Sequence, residues 1–518
     1  MQQQRRIAAS FPRLSTYTRR LTLDHVWVLT VLALISLFLS VLPLPPNDLW
    51  WHMAAGRAMV GQGALLRTNV WAYTLPANAP YVYQSWLSEI LLYWIWQIGN
   101  VPLLVLTRTL VITLSYGLVT WHAWRRAGQG KAVALALLIA VMIGWGNWTL
   151  RPQTLALLPG AAFAVVLGEY LIGRASARWL IALPALIVIW VNMHGSFVLG
   201  AGLLGAAWVG TAITVFRGPW ALTAAARQRL RALTLAGIAT LAGVLVNPLG
   251  VGIVGYVRDM LSNGALQKWF VEWQPPRNDL NIMGIGFWFF TLLLLLAVLM
   301  AAGPRRPTAT DLLWYCGLSW LGFGAIRYAM WYGLLLMPLL AEQLAPRFKN
   351  RALASSNPTF SFAYGLLIGG ALVAALPWFS PARYLGPGGA TLFDSSGPYP
   401  LMLSNMTPVA ATEWLAQHPI EGRFWTEMSY SSYTIWRLPE KQVFADLRVE
   451  LFPEQIWQDY FFVVRGDEHG LDVLNTWRIS HLLVSTRGQQ ALRTRLLSTP
   501  GWCERYNDGS AAILARCQ

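Results

Sequence analysis

The chain has 518 residues, 55% hydrophobic and only 12% charged, with a formal net charge of +16. That composition excludes an ordinary soluble globular protein, and repeated apolar runs of about 20 residues indicate a polytopic α-helical membrane protein. The positive charge is not the footprint of nucleic acid, because the arginines cluster in short loops between apolar runs, the pattern of cytoplasmic loops.

In chain order, Arg5, Arg6, Arg13, Arg19 and Arg20 precede the first apolar run, and no small-residue cleavage site follows it. This reads as an uncleaved signal anchor, spanning 26–42. The first outer loop, 47–88, opens on Asn47-Asp48-Leu49-Trp50-Trp51-His52 and continues through an aromatic, turn-rich stretch suited to the headgroup zone. If its opening is helical, Asp48 and His52 share a face at i and i+4. Residues 87–98 are apolar but too short to span, which places them in the interface or in a re-entrant segment.

Basic loops fix the direction of the later spans. The chain runs inward over 103–124, outward over 132–150 to Arg151, inward over 154–173, and outward over 179–193 to Asn192 and His194. It returns over 196–216 and comes out over 232–247 to Asn247 and a second outer loop, 248–281. It goes in over 282–302, out over 311–326 to Arg327, in over 329–345, and out over 359–378. The count is about eleven transmembrane helices, with a cytoplasmic N-terminus and the C-terminus outside. Residues 1–379 form the transmembrane domain on this reading, and 380–518 a soluble extracytoplasmic α/β domain. In the latter, 407–418 and 487–497 read as helices. "RFWTEM", "QVFADL", "HLLVST" and the two arms of the Asn507-Asp508-Gly509 turn read as strands. Cys316 falls in a span and reads as a packing residue. Cys503 and Cys517 flank the last turn, but a two-residue hairpin would not set them opposite each other, so a disulfide is left open.

No zinc spacing, phosphate loop, dinucleotide fingerprint or nucleophile elbow appears. The signal is positional: Asp48, His52, Glu89, Arg151, Asn192, His194, Asn247, Glu272 and Arg327 all fall at the outer surface. Asp48 can act as a general base, help to bind a divalent cation, or serve as a helix N-cap. His52 can contact Asp48 or a phosphate. Arg151, His194 and Arg327, at the outer ends of three spans, suit an anionic phosphate at headgroup depth, or anchor headgroups singly. Glu89 and Glu272, near Trp86, Trp269 and Trp273, suit sugar hydroxyls beside stacking rings, or cap helices. Arg57 falls away from Asp48 and has a headgroup or structural role. Asp446 and Arg448 read as a structural pair.

An acidic residue after span one, many spans and a C-terminal outer domain together resemble the GT-C superfamily of membrane glycosyltransferases. The patches "DLWWHMAAGRAM", "YQSWLSEILLY", "RPQTLALLP", "WVNMHGSFVLG", "LVNPLG", "FVEWQPP" and "IRYAMWYGLLLMPLLAE", spread over 48–345, resemble a largely uncharacterised bacterial GT-C-like subgroup. The resemblance implies sugar transfer from a polyprenyl-phosphate donor to a glycan, lipid or protein acceptor outside the cytoplasm, in a multi-pass protein of the bacterial inner membrane. Asp48 takes the role of catalytic base. Arg151, His194, Arg327 and His52 are assigned to the donor phosphate, and Glu89, Glu272 and Trp273 to the acceptor or sugar. No second Asp beside Asp48 makes a paired acidic motif, and Gln84 stands where the subgroup's pattern has a His. A divalent cation (Mg or Mn) is therefore not required by the sequence. Two other classes compete: a transporter or flippase of lipid-linked saccharide, which would carry ionisable residues at mid-span, and a non-catalytic scaffold whose outer domain binds a partner.

Overall fold

The computed structural model describes residues 21–217, 223–348, 358–378 and 402–517. The N-terminal arginines and the 379/380 boundary lie outside these residues. α1 (Leu23–Val41) stops before Pro43, Pro45 and Pro46, which cannot continue it. α2 (Leu49–Gln62) follows at once and ends at Gly63 in the left-handed region, φ 64°. α3 (Trp86–Ala127) is two helical arms joined at Gly99 and Asn100, the latter at φ 51°. The short apolar stretch 87–98 is thus the first arm of a kinked helix. Arg108, fully buried in the second arm, donates to the carbonyls of Leu39 (2.6 Å), Leu42 and Pro43 (3.4 Å). These are carbonyls that the end of α1 leaves without helical partners.

The bundle continues through α4 (Gly130–Gly144), α5 (Leu157–Leu171), α6 (Ala182–Met193), α7 (Val198–Arg217), α8 (Ala224–Val244) and α9 (Ile253–Leu261). It closes with α10 (Ile285–Ala302), α11 (Ala309–Gly324), α12 (Ala329–Leu344) and α13 (Pro358–Ala374). α12 is apolar on every side and buried along nearly its whole length, which makes it the axis of the bundle, packed on α3 and α4. Among the described residues, six helical segments are long and apolar enough to cross a membrane: Leu23–Val41, Trp86–Ala127, Gly130–Asn147, Pro152–Leu171, Gly195–Phe216 and Ile285–Ala302. Other apolar helices are shorter. Cys316, expected as packing, is exposed on α11.

The C-terminal region mixes α14 (Val409–Gln417), β1 (Arg423–Thr426), α15 (Met428–Arg437), α16 (Glu454–Arg465), α17 (Glu468–Thr476), β2 (Ile479–Ser485), α18 (Gln490–Leu497), β3 (Trp502–Asn507) and β4 (Ala511–Arg516). The sheet order is β1-β2-β4-β3, with β1 parallel to β2 and the other pairs antiparallel. "QVFADL" does not join it as a full strand. Val443 makes isolated bridges to Phe424 and Ala72, and its backbone bonds Trp71 O (2.8 Å) and Tyr73 N (3.2 Å) in the loop after α2. One bridge on each side is as far as its pairing runs. Cys503 and Cys517 form a disulfide with Cα atoms 5.5 Å apart. Cys503 pairs with Ala515, so Cys517 lies one diagonal step further along the same face rather than opposite, and a bulge between Glu504 and Tyr506 sets that register.

This region is clamped onto the loop between α2 and α3. Arg448, fully buried, holds Asp446 through two nitrogens (2.6 and 3.0 Å) and reaches Tyr83 Oη and Asn69 Oδ1, both at 3.1 Å. Tyr81, expected at the headgroups, packs beneath the same guanidinium, 5.4 Å from its ring. Arg57 donates to Trp436 O at 2.7 Å and stacks over that ring, a structural role.

Candidate active site

Asp48 occupies the N-cap of α2, where a carboxylate ordinarily accepts an N–H of the first turn. Its side chain makes no such bond, and its backbone is already helical (φ −49°, ψ −27°) rather than extended as a capping residue's is. The Trp51 N–H donates instead to Ser432 Oγ of α15 at 3.0 Å, and that hydroxyl donates to Asn47 O at 2.6 Å. A serine from the far end of the chain thus caps the helix, and the Asp48 carboxylate turns to Arg151, with Nη1 3.3 Å from Oδ2. The same nitrogen lies 3.1 Å from Glu272 Oε2, in the loop between α9 and α10. Arg327, in the turn before α12, stands 3.9 Å from the other Glu272 oxygen and 4.1 Å above the Trp273 ring. Four segments distant in sequence therefore meet in an alternating row: Asp48, Arg151, Glu272, Arg327.

His52 does not contact Asp48 through the expected i, i+4 relation. Its Nδ1 lies 2.9 Å from Glu89 Oε1, and its ring stacks on Trp51. Gly56 permits this, since a Cβ there would fall 2.1 Å from the Glu89 carbonyl oxygen, so only glycine lets α2 lie this close to α3. His194 caps the turn after α6, its Nδ1 accepting the Ser196 N–H at 3.1 Å. In the neutral ring the proton therefore sits on Nε2.

The charges sort physically. Burial depresses His194 well below the ordinary histidine range, and Arg327 and Arg151 add to the effect. His52 is depressed in the same way, by burial and then by His194 and Arg151. Both rings are neutral at pH 7, so the positive charge resides on the two arginines, and His194 is a hydrogen-bond donor rather than a third cation. Burial would raise Glu272, but Arg151 and Arg327 outweigh it and hold the carboxyl at about 2. Burial raises Asp48 above its ordinary value, and Arg151 only partly offsets this. Two carboxylates sharing one guanidinium are thus pushed apart, Asp48 being the more basic.

All eight residues singled out from the sequence (Asp48, His52, Glu89, Arg151, His194, Glu272, Trp273 and Arg327) line one cavity of about 450 Å³. Asn192 and Asn247 do not line it. Asn192 bonds Trp86 Nε1 and the carbonyls of Val188 and Val246, and Asn247 braces its own turn.

Solved structures resemble the fold of this chain over most of its length. The archaeal oligosaccharyltransferase AglB from Archaeoglobus fulgidus, in complex with an inhibitory peptide and a dolichol-phosphate, matches with a TM-score of 0.51 at 12% identity, over 95% of this chain and 74% of that one. ArnT from Cupriavidus metallidurans bound to undecaprenyl phosphate matches with a TM-score of 0.51 at 14% identity, over 95% and 97% of the two chains. The chain has the GT-C fold. At these identities the likeness is one of fold. No protein-family model matches the sequence, and no curated protein matches it.

Within this GT-C fold the C-terminal region supplies part of the cavity wall, which sequence reasoning missed. Glu450 lines it and accepts a hydrogen bond from Tyr81 Oη at 2.7 Å, and burial raises the Glu450 carboxyl above its ordinary range. Glu450 lies two residues after Arg448, so the clamp that docks the region also sets this carboxylate. As a metal site the donor set is poor: among the described residues no group of three or more His, Cys, Asp or Glu could hold an ion, and Asp48 and Glu272 already share a guanidinium.

Proposed function

We propose that the protein is a membrane glycosyltransferase that moves a sugar from a polyprenyl-phosphate donor to an acceptor outside the cytoplasm, with Asp48 as general base. The observation that carries this reading is the pairing of an uncapped, raised-pKa carboxylate with two arginines in one cavity of a GT-C fold. Among the described residues the Nε of Arg151 has no hydrogen-bond partner. Two guanidinium groups lining one cavity are suited to an oxyanion. AglB and ArnT were both solved with a lipid phosphate, dolichol-phosphate in one and undecaprenyl phosphate in the other, which supports the donor class.

In the proposed step an acceptor hydroxyl or amide attacks the anomeric carbon as the bond from that carbon to the phosphate oxygen breaks. The acceptor proton passes to Asp48. Arg151 and Arg327, with the Nε2–H of His194, hold the departing polyprenyl phosphate anion, and His52 lies beside them. Glu272, ionised at neutral pH, orients both arginines. Trp273 and Glu89, which line the cavity, offer a ring and a carboxyl to the sugar or acceptor.

On this reading the chain spans the bacterial inner membrane about eleven times, with the N-terminus inside and the C-terminal region outside. The disulfide supports an oxidising compartment for that region. A transport path is disfavoured because buried ionisable residues away from the cavity are engaged by the protein itself: Arg108 with carbonyls through its two terminal nitrogens, and Glu169 with His122 at 2.7 Å and Arg125 at 2.8 Å. The test is transfer of labelled sugar from a polyprenyl-phosphate donor by reconstituted protein. Asp48→Asn is expected to reduce the rate about 10²–10⁴-fold, the contribution of a general base. Undiminished transfer by that variant removes Asp48 from the chemistry.

A further inference from the structure

Asp48 and Glu272 reach the cavity from different segments, and two carboxylates converging on one point are the usual protein contribution to a divalent cation site. Here that point is taken by protein. Arg151 Nη1 stands 3.3 Å from Asp48 Oδ2 and 3.1 Å from Glu272 Oε2, and Arg327 faces the second Glu272 oxygen at 3.9 Å. Arg151 is only 9% exposed, and its backbone enters a helix through Pro152, so it is not a surface side chain that could swing away freely. A metal bridging the same two oxygens would lie against a guanidinium that does not deprotonate.

We propose that Arg151 is the resident cation of this site, occupying the position between Asp48 and Glu272 that a divalent metal would otherwise take, so that lipid-phosphate binding and transfer need no metal. One edge of the guanidinium neutralises the two carboxylates. The rest of the guanidinium, which lines the cavity, is left for the phosphate. A planar guanidinium can serve both sides at once because its five N–H groups are fixed in a fork. Asp48 then gives one lone pair to a hydrogen bond and keeps the others for the acceptor proton. Only the identity of the anion rests on the transferase reading; the placement of the cation does not.

The test uses the full-length protein in detergent, with Mn²⁺ as the metal probe and undecaprenyl phosphate as the lipid probe. Wild type and Asp48→Asn are expected to give superimposable Mn²⁺ titrations by electron paramagnetic resonance. Undecaprenyl phosphate binding to wild type is expected to be unchanged by EDTA. Arg151→Met, confirmed folded by gel filtration, vacates the position and is expected to bind one Mn²⁺ at least about tenfold more tightly than wild type, a difference of about 1.4 kcal/mol. Adding Asp48→Asn should abolish that gain, and Arg151→Lys, which keeps a cation there, should not show it.

A wild-type Mn²⁺ site that Asp48→Asn removes, or lipid binding that EDTA abolishes and Mn²⁺ restores, overturns the inference. So does a folded Arg151→Met protein that gains no Mn²⁺ binding. The wild-type arms need no Arg151 variant to fold. Failure of undecaprenyl phosphate to bind under any condition counts against the proposed donor and leaves the Mn²⁺ comparison standing.

Discussion

Ser432→Ala should change the behaviour of Asp48 although the two side chains do not touch. Ser432 is fully buried, accepts the Trp51 N–H at 3.0 Å and donates to Asn47 O at 2.6 Å. Deleting the hydroxyl leaves both backbone groups unpaired, at a cost of about 1–3 kcal/mol. One remedy is close by. Asp48 already sits at the N-cap, and moving its backbone from helical (φ −49°, ψ −27°) to extended angles to cap its own helix would recover up to about 0.5–2 kcal/mol, at the expense of its contact with Arg151. In wild type, Asp48→Ala removes no cap; in the Ser432→Ala background it removes one. Thermal unfolding in detergent across the double-mutant cycle should therefore show Asp48→Ala to be more costly in the second background, by about 1 kcal/mol. Activity should agree. A carboxylate that accepts backbone N–H bonds holds its proton less tightly, so the acid limb of the transfer profile should move to lower pH while the rate falls, and Ser432→Thr should restore both. If the two substitutions add within about 0.3–0.5 kcal/mol and the acid limb stays in place, Ser432 does not release Asp48 and the reasoning fails.

Arg448→Met strands the Asp446 charge in a fully buried position and cuts the bonds to Tyr83 and Asn69. A loss of about 3–5 kcal/mol is expected by thermal unfolding, with faster proteolysis of the C-terminal region, and Asp446→Asn on top should recover part of it. Reducing the Cys503–Cys517 bond, or Cys503→Ser, reopens a loop of sequence separation 14 and should cost about 3 kcal/mol. The folded Glu272 carboxyl lies at about 2, below its unfolded value of ~4.3, so its stabilising contribution is fully present above pH ~4.3 and is lost as pH falls towards 2. Glu272→Gln should flatten that stretch of the unfolding curve, modestly, because the side chain is 40% exposed and its ion pairs are screened. Asp48 is shifted the other way, so transfer should rise with pH as its raised carboxyl loses its proton, with the acid limb above the ordinary aspartate range.

What could be read from the sequence follows from what is one-dimensional in a membrane protein. Hydropathy and arginine clustering run along the chain, so they place Asp48, Arg151, His194, Glu272 and Arg327 at one end of the bundle before any contact is known. That all five then line a single cavity is a consequence of packing parallel rods: residues at the same ends of neighbouring helices have few other places to go. Partner choice is not one-dimensional. The i, i+4 spacing put His52 over Asp48, but Gly56 lowers α2 onto α3 and offers Glu89 instead. "QVFADL" has the composition of a strand, yet only Val443 pairs, with Phe424 on one side and on the other with Trp71 and Tyr73, residues no local pattern connects with it. Glu450 enters the cavity only because Arg448 docks on Tyr83 and Asn69. The choice between cap and base at Asp48 belongs to the same class. It was undecidable locally, since an aspartate before a helix satisfies either reading, and it turns on a serine in α15 that satisfies the Trp51 N–H first. A site whose members are read from topology can therefore have its chemistry set by a residue that topology never brings into view.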